Sequence, residues 1–236
     1  MNEYPFVGDQ RQASIEAEQA RFITKVYGWM SIGLALTGAV AYLVSSSPAL
    51  LQLIFGNKLL FWGLIIGELL MVGYLAAAVT RMSAATATLV YMLYAVLNGV
   101  TLSGIFIMYT GASIVGTFLI TGGTFAAMSI YGYFTKQDLT RAGNLLYMAL
   151  IGLVIASVVN IFFRHPIMYW IITYAGILIF VGLTAYDTQK IKQMNIIGNE
   201  GTEEDHKEAI MGALTLYLDF INLFLYLLRL FGRSND

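Results

Sequence analysis

Seven long apolar runs, separated by short polar or charged segments, make up most of this chain. Each run reaches the roughly 20 residues that an α-helix needs to cross the hydrocarbon of a bilayer. The runs are continuous rather than alternating, which excludes a transmembrane β-barrel. We therefore predict an all-α polytopic membrane protein with seven transmembrane helices, over residues 26–46, 59–79, 87–109, 113–134, 144–163, 168–188 or beyond, and 209–231.

These helices form one transmembrane domain over residues 26–231, with a polar N-terminal segment over 1–25 and a C-terminal tail over 232–236. We expect the start of the N-terminal segment to be disordered. Residues 15–21 are expected to extend the first helix as an amphipathic lead-in. No small-residue cleavage site follows a short apolar core, so we predict no signal peptide.

Composition agrees with this class: 58% of the 236 residues are hydrophobic and 11% are charged, whereas a soluble domain carries about 25% charged residues. The net charge of −1 offers no basic surface for nucleic acid. There is no cysteine, which excludes disulfides and thiolate metal sites and suits a bacterial inner membrane.

Lysine and arginine are concentrated on the side of the predicted bundle that holds the N-terminus. The positive-inside rule therefore predicts a cytoplasmic N-terminus and, with seven spans, a C-terminus on the outside. A re-entrant seventh segment would instead return the C-terminus to the cytoplasm, and this alternative stays open.

Three carboxylates lie in or beside the predicted transmembrane helices: Glu68 in the second, Asp187 in the sixth and Asp219 in the seventh. A carboxylate at the centre of such a helix costs roughly 2.5–3.5 kcal/mol on insertion scales, so it marks a functional site by default. Asp187 lies near the predicted cytoplasmic end of its helix, where it could simply reach water.

The seventh helix carries one polar stripe at helical spacing, which should face the interior of the bundle and make this helix central. The stripe consists of Thr215, Asp219, Asn222, Tyr226 and Arg229. Similar rows, which indicate hydrogen bonds between packed helices, are Tyr91, Tyr94, Asn98 and Thr101 in the third helix, and Thr117, Thr121 and Thr124 in the fourth.

Asp187 and Asp219 are equally distant in sequence from Glu203, so they reach one level if the sixth helix continues to around Ile197. Two carboxylates in contact cannot both readily stay ionised, and such a pair shares a proton and titrates as a unit. The protonated pair would hold together, and the dianion would repel and open. The dianion would also attract Ca²⁺ weakly, as conduction requires.

Four further groups complete the hypothesis. Glu68 could be a third acid on the same route, or a hydrogen-bond partner for a tyrosine or asparagine within the bundle. Arg81 could pair with an ionised Asp187 as a latch, or only set the topology. His165 is expected in an external loop. The charged run 200–208, with His206, is expected to be a solvated loop and helix start.

Several motifs together resemble the Bax inhibitor-1 family, also called transmembrane Bax inhibitor motif proteins, and its bacterial inner-membrane members above all. The motifs are residues 182–190, which read Gly-Leu-Thr-Ala-Tyr-Asp-Thr-Gln-Lys, and residues 98–103, 129–139 and 214–224. The resemblance extends over nearly the whole chain after residue 20.

The resemblance implies a seven-helix fold with a central C-terminal helix and a pH-sensitive Ca²⁺ leak. It implies a di-aspartyl sensor at Asp187 and Asp219, and a latching arginine in the region of Arg81. It also implies anti-death or stress-protective roles for eukaryotic members, and for some bacterial members a membrane-anchored ATP-dependent protease as binding partner. The expected surroundings are therefore the lipid bilayer, Ca²⁺ or H⁺, and such a protease, with an undetermined oligomeric state.

Two other function classes share features with this sequence. The aspartates resemble those of presenilin-type intramembrane proteases, but residues 216–219 lack the glycines of that motif, so no enzyme activity is predicted. An interaction protein that modulates a protease without transport remains the alternative. We expect no resident cofactor, and at most transient Ca²⁺.

Overall fold

The computed structural model describes residues 5–235, with side chains from residue 13 onward. The described part is built of α-helices. They form seven candidate spans that are long and apolar enough to cross a membrane, and α4 and α5 together make up one of these spans. The helices are α1 (Pro5–Ser45), α2 (Pro48–Gly56), α3 (Lys58–Ala78), α4 (Ala84–Leu102), α5 (Ile105–Met108), α6 (Gly111–Phe134), α7 (Thr140–Phe163), α8 (Pro166–Met194) and α9 (Glu203–Phe231).

Helix α9 lies at the centre of the bundle, as predicted. Of the 18 most apolar consecutive residues of α9, 67% are buried, whereas the corresponding share is 6% in the spans of α3 and of α7. It packs against α1, α4, α6 and α8. Helix α9 is continuous through 29 residues, which is the form of a full span and not of a re-entrant segment.

The predicted third helix is interrupted, so its expected continuity to Tyr109 is wrong. Helix α4 ends at Leu102 and α5 begins at Ile105. The hydroxyl group of Ser103 donates to the carbonyl oxygen of Val100 at 2.6 Å, a local bond that competes with the regular helix. At Gly104 a β-carbon would lie 2.9 Å from the ring of Phe55, so a glycine is needed for this close approach.

The N-terminal segment is helical from Pro5 onward, so the expected disorder is wrong for residues 5–14, and residues 1–4 lie outside the described residues. The helix continues into the first span, as predicted for residues 15–21. The expected short connection after the first span contains the additional helix α2.

The two ends of the bundle are each held by contacts between segments distant in sequence. At the N-terminal end, Arg21 donates twice to Glu200, at 2.7 and 2.8 Å. At the opposite end, the C-terminal tail pairs with the connection before α6, where the amide of Thr110 donates to the carbonyl of Arg233 at 3.1 Å. The N-terminal and C-terminal segments therefore lie at opposite ends of the bundle.

Small residues bring α8 close to its neighbours. A β-carbon at Gly132 on α6 would collide with the backbone of Ala185 on α8, and one at Gly143 on α7 would collide with the ring of Tyr186. Such residues allow membrane helices to approach closely. Helix α8 is thus fixed between α6, α7 and α9 over the residues that surround Asp187.

Candidate functional site

The structure brings Asp187 and Asp219 together inside the bundle. Helix α8 ends at Met194, somewhat before the expected position, yet the two carboxyl groups lie in side-chain hydrogen-bond contact. Both residues are buried, with 1% of Asp187 and 4% of Asp219 exposed. The contact follows from the packing of α8 along α9, which places the two helix faces at one level.

Tyr147 on α7 completes this site. Its hydroxyl group lies 3.0 Å from both carboxylate oxygens of Asp187 and donates to them. A hydroxyl donor favours the ionised form of the carboxylate that it faces. Sequence reasoning missed this residue, because a single tyrosine in an apolar helix has no spacing that singles it out among the 15 tyrosines of the chain.

The pair is suited to holding one proton. The Oδ2 atom of Asp219 is buried and has no hydrogen-bond partner among the described residues. A hydrogen bond between two carboxyl groups needs a proton on one of them. The exposed Lys190, three residues further along α8, is a positive group that acts on Asp187.

The residues that follow Asp187 attach α8 to its surroundings. The hydroxyl of Thr188 is 3.3 Å from that of Tyr27 on α1. The side chain of Gln189 binds the connection between α6 and α7 twice: it accepts from the amide of Leu139 at 2.9 Å and donates to the carbonyl of Gln137 at 2.8 Å. Thr188 and Gln189 therefore help to position the carboxylate of Asp187, and Gln189 also fixes the connection between α6 and α7.

Glu68 does not contact the aspartate pair, and its role as a third acid on the same route stays a prediction. Its carboxylate is half-buried and accepts a hydrogen bond from the hydroxyl of Thr101 on α4 at 2.8 Å. The alternative was a hydrogen bond between Glu68 and a tyrosine or asparagine within the bundle. The structure shows such a bond within the bundle, but its partner is a threonine. Within residues 13–235, no group of three or more acidic or histidine side chains could hold a metal ion.

Asn222 and Tyr226 share the stripe of Asp219 but do not reach it. Asn222 donates to the carbonyl of Leu218 in its own helix at 2.8 Å. The ring of Tyr226 stacks on Phe180 with centroids 5.9 Å apart. At the end of the stripe Arg229 is exposed, so the expectation that the whole stripe faces inward is wrong there. Near the end of a span a long cationic side chain can reach water, which removes the need for burial.

Arg81 lies in a 3₁₀ turn, Val79–Arg81, that follows α3. Its side chain is exposed and forms no ion pair with a carboxylate of the described residues. The structure therefore does not bring Arg81 to the aspartate pair.

The charged run over residues 200–208, which includes the start of α9, is more structured than a solvated loop. Asp205 is buried and its carboxylate lies 2.9 Å from the ammonium group of Lys25 on α1. His206 contacts the hydroxyl of Thr88 at 3.0 Å. The interpretation of this run as a solvated face is wrong for Asp205, because α1 covers it. Arg21 holds the pKa of the exposed Glu200 below its usual range by hydrogen bonding to it.

The fold and the site define a class: a seven-helix membrane protein whose central C-terminal helix pairs an aspartate with another on the preceding span. A family model described as inhibitor of apoptosis-promoting Bax1 matches residues 19–236. The chain belongs to this family, the Bax inhibitor-1 family, as the motifs had indicated.

Bacterial relatives cover nearly the whole chain. Inner membrane protein YbhL of Escherichia coli K12 is 52% identical over 212 residues, which are 89% of this chain and 91% of the relative. A protein of Borreliella burgdorferi is 47% identical over 217 residues, 92% of this chain and 94% of the relative. A Deinococcus radiodurans protein is 39% identical over 215 residues, 91% of each.

Proposed function

We propose that this protein is a pH-sensitive calcium leak of the bacterial inner membrane, gated by the pair of Asp187 and Asp219. The observation that carries the proposal is the contact of two buried carboxyl groups on consecutive spans. The inner membrane as location is supported by the likeness to the Escherichia coli inner membrane protein. The orientation with a cytoplasmic N-terminus rests on the distribution of lysine and arginine.

The proton is the gating ligand in this mechanism. While one proton is shared, the pair has a single negative charge and a hydrogen bond joins α8 to α9. Loss of that proton leaves two negative charges a few ångströms apart. At an effective dielectric constant of about 20, their repulsion at 4 Å is about 4 kcal/mol. This energy is large enough to shift a closed helix contact towards an open one, so higher pH opens the leak.

Calcium enters as the transported ion and not as a resident cofactor. Two carboxylates supply oxygen ligands of the kind that Ca²⁺ prefers, but too few for tight binding. Weak binding is what passage through a pore requires. Pairing of Arg81 with Asp187 remains a prediction for the ionised state, and it requires movement of the 3₁₀ turn from its exposed position.

Calcium flux into dye-loaded proteoliposomes tests the proposal, measured between about pH 6 and pH 8, across the range in which a shared carboxyl proton is expected to be released. Wild-type flux should rise with pH. Asp187→Asn and Asp219→Asn should each give low flux that no longer depends on pH, because an amide donates to the remaining carboxylate as the shared proton does. Glu16→Gln removes an exposed carboxylate on α1 and should behave as wild type.

Absence of flux, or flux indifferent to pH and to both aspartates, would overturn the leak. That result would favour the alternative, a stress-protective interaction protein that modulates a membrane-anchored ATP-dependent protease. Cleavage of helical substrates that both asparagine variants abolish would instead indicate an enzyme.

A further inference from the structure

A second polar site lies at the opposite end of the bundle from the N-terminus. It is a cavity of about 650 Å³ between the end of α7, the start of α8 and the end of α9. Two arginines line it, Arg164 and Arg229, together with Asn160 and the aromatic residues Tyr169 and Trp170. It contains none of the residues of the aspartate pair.

The arginines of this cavity have no anionic partner among the described residues. Neither guanidinium group forms an ion pair there, and no carboxylate lines the cavity. The guanidinium of Arg229 lies over the ring of Tyr226 at 5.3 Å and over that of Tyr169 at 5.7 Å. These cation–π contacts hold the side chain in place and leave its N–H donors available.

Arg164 occupies a backbone position that does not favour arginine. It caps the C-terminus of α7 in the left-handed conformation, with φ 49° and ψ 38°. It is the one residue other than glycine with positive φ in the described part of the chain. Glycine is usual at such a helix end. An arginine in this conformation therefore suggests that its side chain has a function.

The surroundings of the cavity identify the kind of anion. The cavity lies at the ends of three membrane spans, and therefore at the boundary between hydrocarbon and water. Ile161 on α7 lines the cavity and is 57% exposed. A ligand held by the arginines would therefore extend its apolar part along the side of α7 that borders the cavity. Tyr169 and Trp170 are residue types enriched at that depth of a membrane.

We propose that this cavity binds the phosphate group of an anionic phospholipid in the leaflet at the C-terminal end of the bundle. Arg164 and Arg229 donate to the phosphate, which suits planar guanidinium groups. The acyl chains lie along the exposed apolar side chain of Ile161 beside the cavity. The proposal uses none of the residues of the calcium leak, so it stands or falls independently of that function.

Thermal unfolding of the purified protein in detergent, with native mass spectrometry of bound lipid, tests this site. The probes are phosphatidylglycerol, phosphatidylcholine, glycerol phosphate without acyl chains, and inorganic phosphate. Phosphatidylglycerol should bind and raise the unfolding midpoint of the wild type. Its apparent affinity should fall about tenfold in Arg164→Gly and in Arg229→Gln, because each loses a charge-assisted contact.

The variants separate binding from folding. Glycine suits the left-handed position, so Arg164→Gly should fold at least as well as the wild type without lipid. Lys58→Gln removes an exposed charge at the same end of the bundle and should leave lipid binding unchanged. Equal binding of phosphatidylglycerol by all variants would overturn the proposal. So would equal stabilisation by phosphatidylcholine, or by glycerol phosphate or inorganic phosphate, which would indicate non-specific lipid or a soluble anion.

Discussion

Substitution of Tyr147 by phenylalanine isolates the contribution of one hydroxyl group to the proposed gate. The change keeps the aromatic ring and its packing on Tyr186, whose centroid is 6.0 Å away. It removes only the donor that lies 3.0 Å from both oxygens of Asp187. Because that donor favours the ionised carboxylate, the variant should keep the shared proton to higher pH.

The size of the effect follows from the strength of the bond. A hydrogen bond to a charged group contributes about 1.5–3 kcal/mol. One pH unit corresponds to about 1.4 kcal/mol. The pH at which calcium flux reaches half its maximum should therefore rise in Tyr147→Phe, by at most about 1–2 units, because part of this bond is already present while the proton is shared.

The assay is calcium entry into dye-loaded proteoliposomes across a series of pH values, fitted for the midpoint and for the maximum. Tyr174→Phe is the matched control: it makes the same chemical change on α8, where the side chain is 53% exposed. Its midpoint should equal that of the wild type. An unchanged midpoint in Tyr147→Phe, or one displaced to lower pH, would refute the assignment of this hydroxyl.

Two further predictions concern the fold. Gly132→Ala places a β-carbon against the backbone of Ala185 and should lower the free energy of unfolding by about 1–3 kcal/mol, as measured by thermal unfolding. Gly122 has open space around it, so Gly122→Ala should leave the stability unchanged. Equal losses in the two variants would contradict the close packing at Gly132. Because Arg21 lowers the pKa of Glu200, this pair should stabilise the protein above the ordinary glutamate pKa of about 4.3. That stabilisation should be lost as the pH falls through the lowered value, whereas Arg21→Gln should lack this part of the acid dependence in unfolding curves.

Some features of the fold were predictable because they depend on local pattern. The length of each apolar run indicates a membrane span whatever its neighbours are. The polar stripe on α9 indicated a central helix, because Asp219 is costly to expose to lipid. Equal distances from Glu203 placed Asp187 and Asp219 at one level, and the structure brings them into contact.

Other features could not be predicted because they depend on which helices become neighbours. Glu68 is as isolated in sequence as Asp219, yet it lies against Thr101 and apart from the pair. Asp205 belongs to a charged run that is usually solvated, and its burial is made tolerable by Lys25 on α1 together with the amide of Gly201, each 2.9 Å away. The partner of an isolated polar residue is a property of the packing.

By itself the sequence determined the class of protein, the number and length of its spans, and the two aspartates that are costly enough to need one another. These features follow from the free energy of transferring side chains from water to lipid. Each residue contributes to this free energy according to its own type, whichever helices it later contacts. The tertiary structure decided which polar groups meet: Tyr147 with Asp187, Glu68 with Thr101, and the arginines around an open cavity. Inside a bilayer every buried polar group needs a partner on another helix or in its own backbone, and only the packed bundle assigns those partners.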